Sequence, residues 1–193
     1  MKFNELYESI NNNVNEKSEL YLDFKNYYKI DLNKPNNDYD WSKVSGKHWT
    51  NLLIDHPQFD INADWSKLKG YQWVNLLSEQ SQYSDYCDWT KLNGRDWTNL
   101  VIFSPDFISK CDEYDGWKLF NSWGWADFIV EYPHLIHKCD LSKLDGWSWT
   151  IILLKHPKFE NECTENNCWK KLNKHNWKDL ISKHSYFKKY LNK

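Results

Sequence analysis

Arginine is almost absent from this 193-residue chain, because Arg95 is the only one among 25 basic residues. The formal net charge is -2, which argues against a protein that coats nucleic acid. With 5 prolines and 6 glycines, the chain has too few of either for a collagen-like protein or a flexible linker. No run approaches the roughly 18 apolar residues of a membrane helix, and the first ten residues have no signal-peptide core. We therefore expect a cytoplasmic protein with no membrane contact.

Common catalytic motifs are missing as well. The sequence has no Gly-rich phosphate loop, no G-x-S-x-G nucleophile elbow and no H-E-x-x-H zinc motif. These absences favour a protein that is not an enzyme, uses no cofactor and has no small-molecule substrate.

Aromatic residues are abundant, with 13 Trp, 12 Tyr and 9 Phe, and most of the tryptophans recur at a fixed interval. Asp40-Trp41, Asp64-Trp65 and Asp88-Trp89 repeat at a spacing of 24, each followed by another Trp eight residues later. With the aspartate as position 0, the consensus is D-W-S-K-L-x-G-x-x-W-x-x-L-L-x-x-x-P-x-F-x-x-x-C. The copies begin at Asp40, Asp64, Asp88, Gly116, Asp140 and Cys168.

Each copy predicts three short helical pieces. The aspartate at position 0 is typical of an N-cap that opens one helical or 3₁₀ turn, and the glycine at position 6 suits a left-handed residue ending it. A second helix carries Trp at position 9 and apolar residues at positions 12 and 13. The proline at position 17 stops this helix and begins a third piece, for which we expect His56, Gln80 or Ser104 as the cap.

These pieces are too short to be stable alone in water, so their apolar faces must be buried by stacking. A strand at Cys-Asp-Trp-Ser-Lys-Leu is the alternative, but Asp, Ser and Lys are weak strand formers. We predict an all-α solenoid of about six short-helix repeats over residues 40–193, with a helical cap over residues 1–39. In the cap, two helices are indicated by the apolar sets Phe3, Leu6, Tyr7 and Ile10, and Leu20, Phe24, Tyr27 and Tyr28.

The period and the alternation of a longer with a very short helix resemble the leucine-rich repeat variant class of α/3₁₀ solenoids. The tandem D-W-S-K-L…W…LL…P-x-F unit also resembles uncharacterised Trp-rich repeats of AT-rich bacteria. The first resemblance implies a right-handed superhelix and a protein-binding role. Neither carries a known active site, so no functional residue is transferred.

Four of the five cysteines, Cys87, Cys111, Cys139 and Cys163, share position 23. Stacked helices are roughly 8–10 Å apart and a disulfide needs Cα atoms within about 7 Å, so we expect five reduced thiols. A metal site is a second hypothesis for His134, His137 and Cys139, because imidazoles three residues apart on a helix can share a zinc ion. A looser set is Cys163 and Cys168 with His156 or His175.

Two four-residue insertions interrupt the period, Asp112–Asp115 before the fourth copy and Thr164–Asn167 before the sixth. Insertions in solenoids commonly emerge as loops on one face, often the binding face. We expect the same here.

Two tryptophans depart from the repeat. Eleven of the 13 lie at positions 1 and 9, whereas Trp123 and Trp147 lie at position 7, beside a mostly short and polar position 11. Such a pair of rows is typical of a ligand groove, although the two rings are also explained as local compensation for the insertion and for Leu141. The candidate partner-binding residues are Tyr71, Arg95, Trp123, Trp147, His175 and Tyr114.

The function that these features favour is binding of another macromolecule, with a protein partner preferred. An inhibitor or adaptor is the leading hypothesis, including an antagonist of a defence nuclease encoded by a phage or mobile element. One alternative is a single-stranded nucleic-acid binder that uses the Lys-rich C-terminal end. Another is a scaffold for a host complex.

Overall fold

A computed structural model describes residues 18–34 and 39–191 of the chain. Throughout these two ranges the secondary structure is helical, with no strand. The α-helices are α1 (Glu19–Asp23), α2 (Gly46–Asp55), α3 (Gly70–Glu79), α4 (Gly94–Phe103), α5 (Ile108–Glu113), α6 (Ser122–Glu131), α7 (Gly146–Lys155), α8 (Glu160–Glu165) and α9 (Lys174–Lys183). None of the described helices is long and apolar enough to cross a membrane.

Short 3₁₀ helices alternate with the six ten-residue helices of the repeats. They span Trp41–Lys43, Pro57–Asn62, Trp65–Lys67, Ser81–Tyr86, Trp89–Lys91, Pro105–Phe107, Gly116–Leu119, Pro133–Lys138, Leu141–Lys143, Pro157–Phe159, Cys168–Lys171 and Ser185–Tyr190. The predicted fold class, all-α with short-helix repeats, is confirmed. In the N-terminal segment a π-helix, Phe24–Tyr28, comes after α1, while the helix predicted from Phe3 to Ile10 lies outside the described residues.

The chain divides into two compact units, Met1–Lys91 and Leu92–Lys193. In the first unit α1 packs on α2, and α2 packs on α3. In the second unit α4 packs on α6, α6 on α7, and α7 on α9. Within each unit, the ten-residue helix of one copy therefore rests on that of the next copy.

Tryptophan fills the core of each repeat, as predicted for positions 1 and 9. The position-9 rings of Trp49, Trp73 and Trp125 are at most 1% exposed. In the fourth copy, the ring of Trp117 stacks on that of Trp125 with centroids 5.5 Å apart. The same stacking recurs between positions 1 and 9 of the first, second and sixth copies. One stacked indole pair thus fills the space inside each of these four copies, whereas the fifth has Leu141 in place of the first indole.

The glycine at position 6 does not have the predicted left-handed conformation, because no described glycine has a positive φ. It is the first residue of the ten-residue helix, where a Cβ on Gly94 or Gly146 would collide with a main-chain carbonyl of the next copy. The residue at position 5 caps this helix instead. In the third copy, the Asn93 side chain accepts hydrogen bonds from the backbone N–H groups of Arg95 and Asp96. Glycine therefore marks a close approach between neighbouring repeats.

The lysine at position 3 ties the second, third, fifth and sixth copies to the copy before them, whereas the fourth copy has Leu119 at this position. Nζ of Lys143 donates to the carbonyl oxygens of Lys118 and Phe120, at 2.9 and 3.2 Å. Lys67, Lys91 and Lys171 bind the corresponding carbonyls of their own preceding copies. The lysine of the consensus is therefore a structural residue of the stack.

A second inter-repeat tie is made at position 16. Nε2 of His156 bonds the carbonyl oxygen of Val130 at 2.9 Å, and the Tyr132 hydroxyl donates to the Ile102 carbonyl at 2.8 Å. His56, Gln80 and Ser104 hold the predicted N-cap position of the third piece, but none of their side chains makes a capping hydrogen bond. Among these, the Gln80 amide instead binds the carbonyl of Ile54, in the preceding copy.

The first two residues of each insertion are helical and the last two form a tight turn, so neither insertion is a projecting loop. Each extends the third piece of its copy into an α-helix, α5 or α8, with a left-handed residue, Asp115 or Asn167, after it. The first inserted residue then accepts a hydrogen bond from the position-1 indole. The two distances are 2.6 Å from Trp117 Nε1 to Asp112 Oδ1, and 2.9 Å from Trp169 Nε1 to Thr164 Oγ1.

The expectation of five reduced thiols is wrong for one pair, because Cys163 and Cys168 form a disulfide with Cα atoms 5.0 Å apart. The spacing argument considered neighbouring copies, whereas this bridge spans the second insertion within one segment. Cys87, Cys111 and Cys139 are free. Burial raises the pKa of Cys87 and of Cys139 to about 12, so these thiols stay protonated at neutral pH.

Candidate functional site

Two positions of the ten-residue helix point away from the core. Positions 9, 10, 12 and 13 face inward, so positions 7 and 11, four residues apart, share the opposite side. Trp123 and Trp147 are accordingly 57% and 41% exposed, whereas Trp125 and Trp149, two residues later, are at most 1% exposed. The other nine tryptophans are buried or half-buried.

We use the name 7/11 face for the surface formed by positions 7 and 11 on the stacked helices α4, α6, α7 and α9. Its residues are Arg95, Asn99, Trp123, Asp127, Trp147, Ile151, His175 and Asp179.

All six candidate residues are exposed, but only four of them share this face. Arg95, Trp123, Trp147 and His175 are each the second residue of their helix. Tyr71 has the same place in α3, which belongs to the first unit, and Tyr114 lies just after the C-terminal end of α5. The Lys110 ammonium lies 5.8 Å from the centroid of the Tyr114 ring.

A pocket of about 330 Å³ opens between the N-terminal halves of α4 and α6. Gly124 lies at position 8, and a Cβ on it would approach the Thr98 hydroxyl oxygen to 2.5 Å. Glycine therefore allows a close approach of α6 to α4 at the pocket. The lining residues are Arg95, Thr98, Asn99, Asn121, Trp123, Gly124 and Asp127.

Local hydrogen bonds hold the pocket walls in place. The Asn121 side chain caps α6 by accepting from the backbone N–H of Gly124 at 2.9 Å. The Thr98 hydroxyl donates to the carbonyl oxygen of Gly94 at 2.8 Å. Both polar groups are thereby used in fixing the helices, which leaves the position-7 and position-11 side chains to meet a ligand.

A serine pair joins the helices that carry the two exposed tryptophans. The hydroxyls of Ser122 and Ser148 share a hydrogen bond of 2.6 Å, and the backbone N–H of Asp145 donates to Ser122 Oγ at 2.9 Å. Ser122 directly precedes Trp123, and Ser148 comes directly after Trp147. The backbones bearing the rings are therefore fixed to each other. The sequence did carry this signal, since Ser122 replaces the glycine of position 6.

The pocket contains a carboxylate without a counterion. Partial desolvation raises the pKa of Asp127, and within the described ranges its side chain has no ion pair or hydrogen bond. Glu131, four residues further along α6, likewise has no ion pair there. On the opposite wall, the side chain of Arg95 is exposed. The charges of these two carboxylates and of the Arg95 guanidinium are therefore available to a charged group of a ligand.

A second pocket, of about 460 Å³, lies in the first unit between α1 and α2. Its histidine already has partners, because His48 bonds Asp23 Oδ2 at 3.1 Å and the Tyr28 hydroxyl at 3.0 Å. Among the described residues no exposed aromatic side chain lines this pocket, so it gives weaker evidence of a ligand.

The hypothesis of a zinc site gains no support from the structure. Over the part of the chain that is described, no three His, Cys, Asp or Glu side chains are grouped as metal ligands. His134 and His137 are exposed, and the Cys139 thiol is directed to the Leu135 carbonyl at 3.6 Å.

Comparisons of the chain with protein-family models, with curated proteins and with solved structures give no match. The resemblances drawn from the repeat pattern therefore remain predictions.

Proposed function

We propose that this chain is a non-enzymatic binding protein whose 7/11 face docks onto another protein. The observation that carries the proposal is the exposure of Trp123 and Trp147 on adjacent helices. Large apolar rings left in water do not stabilise the fold, and tryptophan is enriched among the residues that dominate binding energy at interfaces. The hydrogen bonds of Ser122 and Ser148 fix the backbones that carry both rings, which reduces the backbone entropy lost on binding.

An inhibitor or adaptor in the cytoplasm is the role that we propose for such a binder. A small protein with a fixed aromatic surface acts by covering part of its partner. An antagonist of a defence nuclease, encoded by a phage or mobile element, is one form of this proposal.

The proposal is tested by affinity capture with a double variant. The wild type and Trp123→Ala/Trp147→Ala are immobilised and exposed to lysate of the source cell, and captured proteins are quantified by mass spectrometry. We expect the variant to capture at least tenfold less of the specific partner than the wild type does. Truncating a dominant contact costs about 2 kcal/mol or more of binding free energy. Its melting temperature should hardly change, because both rings are exposed.

The matched control is Tyr27→Ala/Ile61→Ala, which removes two apolar side chains that are 78% and 70% exposed in the first unit. This control should retain the partner. Retention of the partner by the tryptophan variant, or an equal loss in the control, would contradict the proposal.

Single-stranded nucleic acid is the second candidate, favoured by Lys170, Lys174 and Lys178, which are all exposed near the C-terminal end. It predicts binding of an oligothymidylate that weakens steeply as salt is raised, because lysine contacts to phosphate release counterions. Protein docking through the tryptophans predicts weak salt dependence. Fluorescence anisotropy of a labelled oligonucleotide over a salt series separates the two.

A further inference from the structure

We infer that the pocket between α4 and α6 receives a basic side chain, lysine or arginine, from the partner segment that binds the 7/11 face. The inference rests on the proposed function and adds the chemistry of the partner. Its basis is the placement of Trp123 and Asp127 on the α6 wall of the pocket, with Glu131 one turn further along the same helix.

The carboxylates on α6 lack a counterion. Trp123, Asp127 and Glu131 are spaced by four residues and therefore share one side of the helix. Like charges four residues apart on a helix destabilise it, and neither carboxylate has a cationic partner within the described part of the chain. A cation bound between them relieves that repulsion. The partial desolvation of Asp127 strengthens its attraction to such a cation.

The exposed indole of Trp123 selects for the same charge. The face of an aromatic ring carries negative potential, so it attracts ammonium and guanidinium groups and disfavours carboxylates. Tryptophan is the strongest of the aromatic residues in this respect. The ring and the Asp127 carboxylate line one pocket, so a single cation can meet both.

Arg95 is the pocket residue that would favour an acidic side chain of the partner over a basic one. The side chains of Arg95 and Asp127 are both exposed, so burial does not decide between them. On the α6 wall the Trp123 ring and Glu131 favour a cation together with Asp127, whereas Arg95 is the single charged residue on the α4 wall of the pocket. The Arg95 guanidinium, beside the Asn99 amide on the same wall, is suited to donate to carbonyl oxygens of the segment.

The helix next to α6, α7, offers a site for a second, apolar side chain of the partner segment. On α7, positions 7 and 11 are Trp147 and Ile151, which form an apolar site beside the pocket. Packed helices are about 8–10 Å apart, a distance that about three extended residues span. The geometry thus favours a segment with an apolar side chain about three residues from the basic one.

The experiment uses the peptide acetyl-Arg-Gly-Gly-Leu-amide as the probe and the indole N–H signals of the ¹⁵N-labelled full chain as the readout. Trp123→Phe identifies the Trp123 signal by its loss. We expect the peptide to shift this signal at millimolar concentrations. Versions with citrulline, which has the shape of arginine without the charge, or with glutamate should bind at least fivefold more weakly. In Asp127→Asn, the preference for the arginine peptide over the citrulline peptide should become clearly smaller, and the remainder comes from Trp123 and Glu131.

Several results would overturn the inference. They are tighter binding of the glutamate peptide, an unchanged preference for arginine in Asp127→Asn, or no shift of the Trp123 signal with the arginine peptide. An oligothymidylate that shifts this signal where the arginine peptide does not would assign the face to nucleic acid. The melting temperature of Asp127→Asn, which should not fall at neutral pH, shows that the variant is folded. Partner capture that depends on Trp123 and Trp147 but not on Asp127 would leave the proposed function standing and reject the basic side chain.

Discussion

Replacing Gly146 with alanine should destabilise the protein, although alanine is the better helix former. Helix propensity alone gives a gain of up to about 1 kcal/mol for glycine to alanine. A Cβ on Gly146, however, would collide with the main-chain carbonyl of Lys171 in the next copy. Relieving such an overlap costs about 1–3 kcal/mol. It also displaces Lys171, whose ammonium binds the Leu144 carbonyl at 2.7 Å, an interaction of about 1 kcal/mol for an exposed lysine.

The net loss is therefore about 1–3 kcal/mol, and each kcal/mol should lower the melting temperature by about 2–4 °C. Urea unfolding monitored by circular dichroism measures it. The control is Lys174, which occupies position 6 of the sixth copy and already carries a side chain there. Lys174→Ala should be neutral, and Lys174→Gly should cost up to about 1 kcal/mol. A Gly146→Ala protein at least as stable as the wild type would refute the role assigned to this glycine.

Three further predictions concern the core, the disulfide and the first insertion. Trp125→Ala should cost about 3–5 kcal/mol in urea unfolding because its ring is buried, whereas Trp123→Ala should change stability by less than about 1 kcal/mol; equal losses would contradict the assignment. Alkylation in denaturant without reductant should label three of the five cysteines, and Cys163→Ser/Cys168→Ser should cost about 2 kcal/mol by opening a short loop; five labelled thiols would disprove the bridge. Deleting residues 112–115 should lower helical content and melting temperature, because Trp117 loses its hydrogen-bond acceptor; a deletion protein as stable as the wild type would show that the insertion is not structural.

The fold class was predictable because six copies repeat the same pattern of apolar and turn residues. The contacts between copies were not predictable, because a consensus describes one repeat at a time. Glycine at position 6 was explained by a local turn, whereas its cause is a carbonyl of the next copy. The available signal was that position 6 is Ser122 in the fourth copy and Lys174 in the sixth, residues that rarely adopt the left-handed conformation. Position 16 was predicted as the N-cap, which it is, but its side-chain contact with the preceding copy was missed for the same reason.

The candidate site was predictable only in part. Trp123 and Trp147 stood out because they interrupt a regular pattern, and their exposure agrees with the prediction that they lie outside the packing columns. The pocket depends on Gly124 and Thr98, which come from different copies and meet only when α6 packs on α4. Tyr114 was included because insertions often form binding loops, and the structure instead ends a helix there.

The repeat itself explains why position 7 is informative about function. Positions 3, 6, 9 and 16 make contacts inside or between copies, so stacking restricts which residues can occupy them. Position 7 carries a lysine, a tyrosine, an arginine, two tryptophans and a histidine in the six copies, which shows that stacking leaves its side chain unconstrained. Tryptophan there is thus not required by the fold, and its two occurrences fall on adjacent helices that a serine pair holds together. A carboxylate without a counterion lies beside the first ring, and this combination is what a cationic, partly apolar segment would recognise.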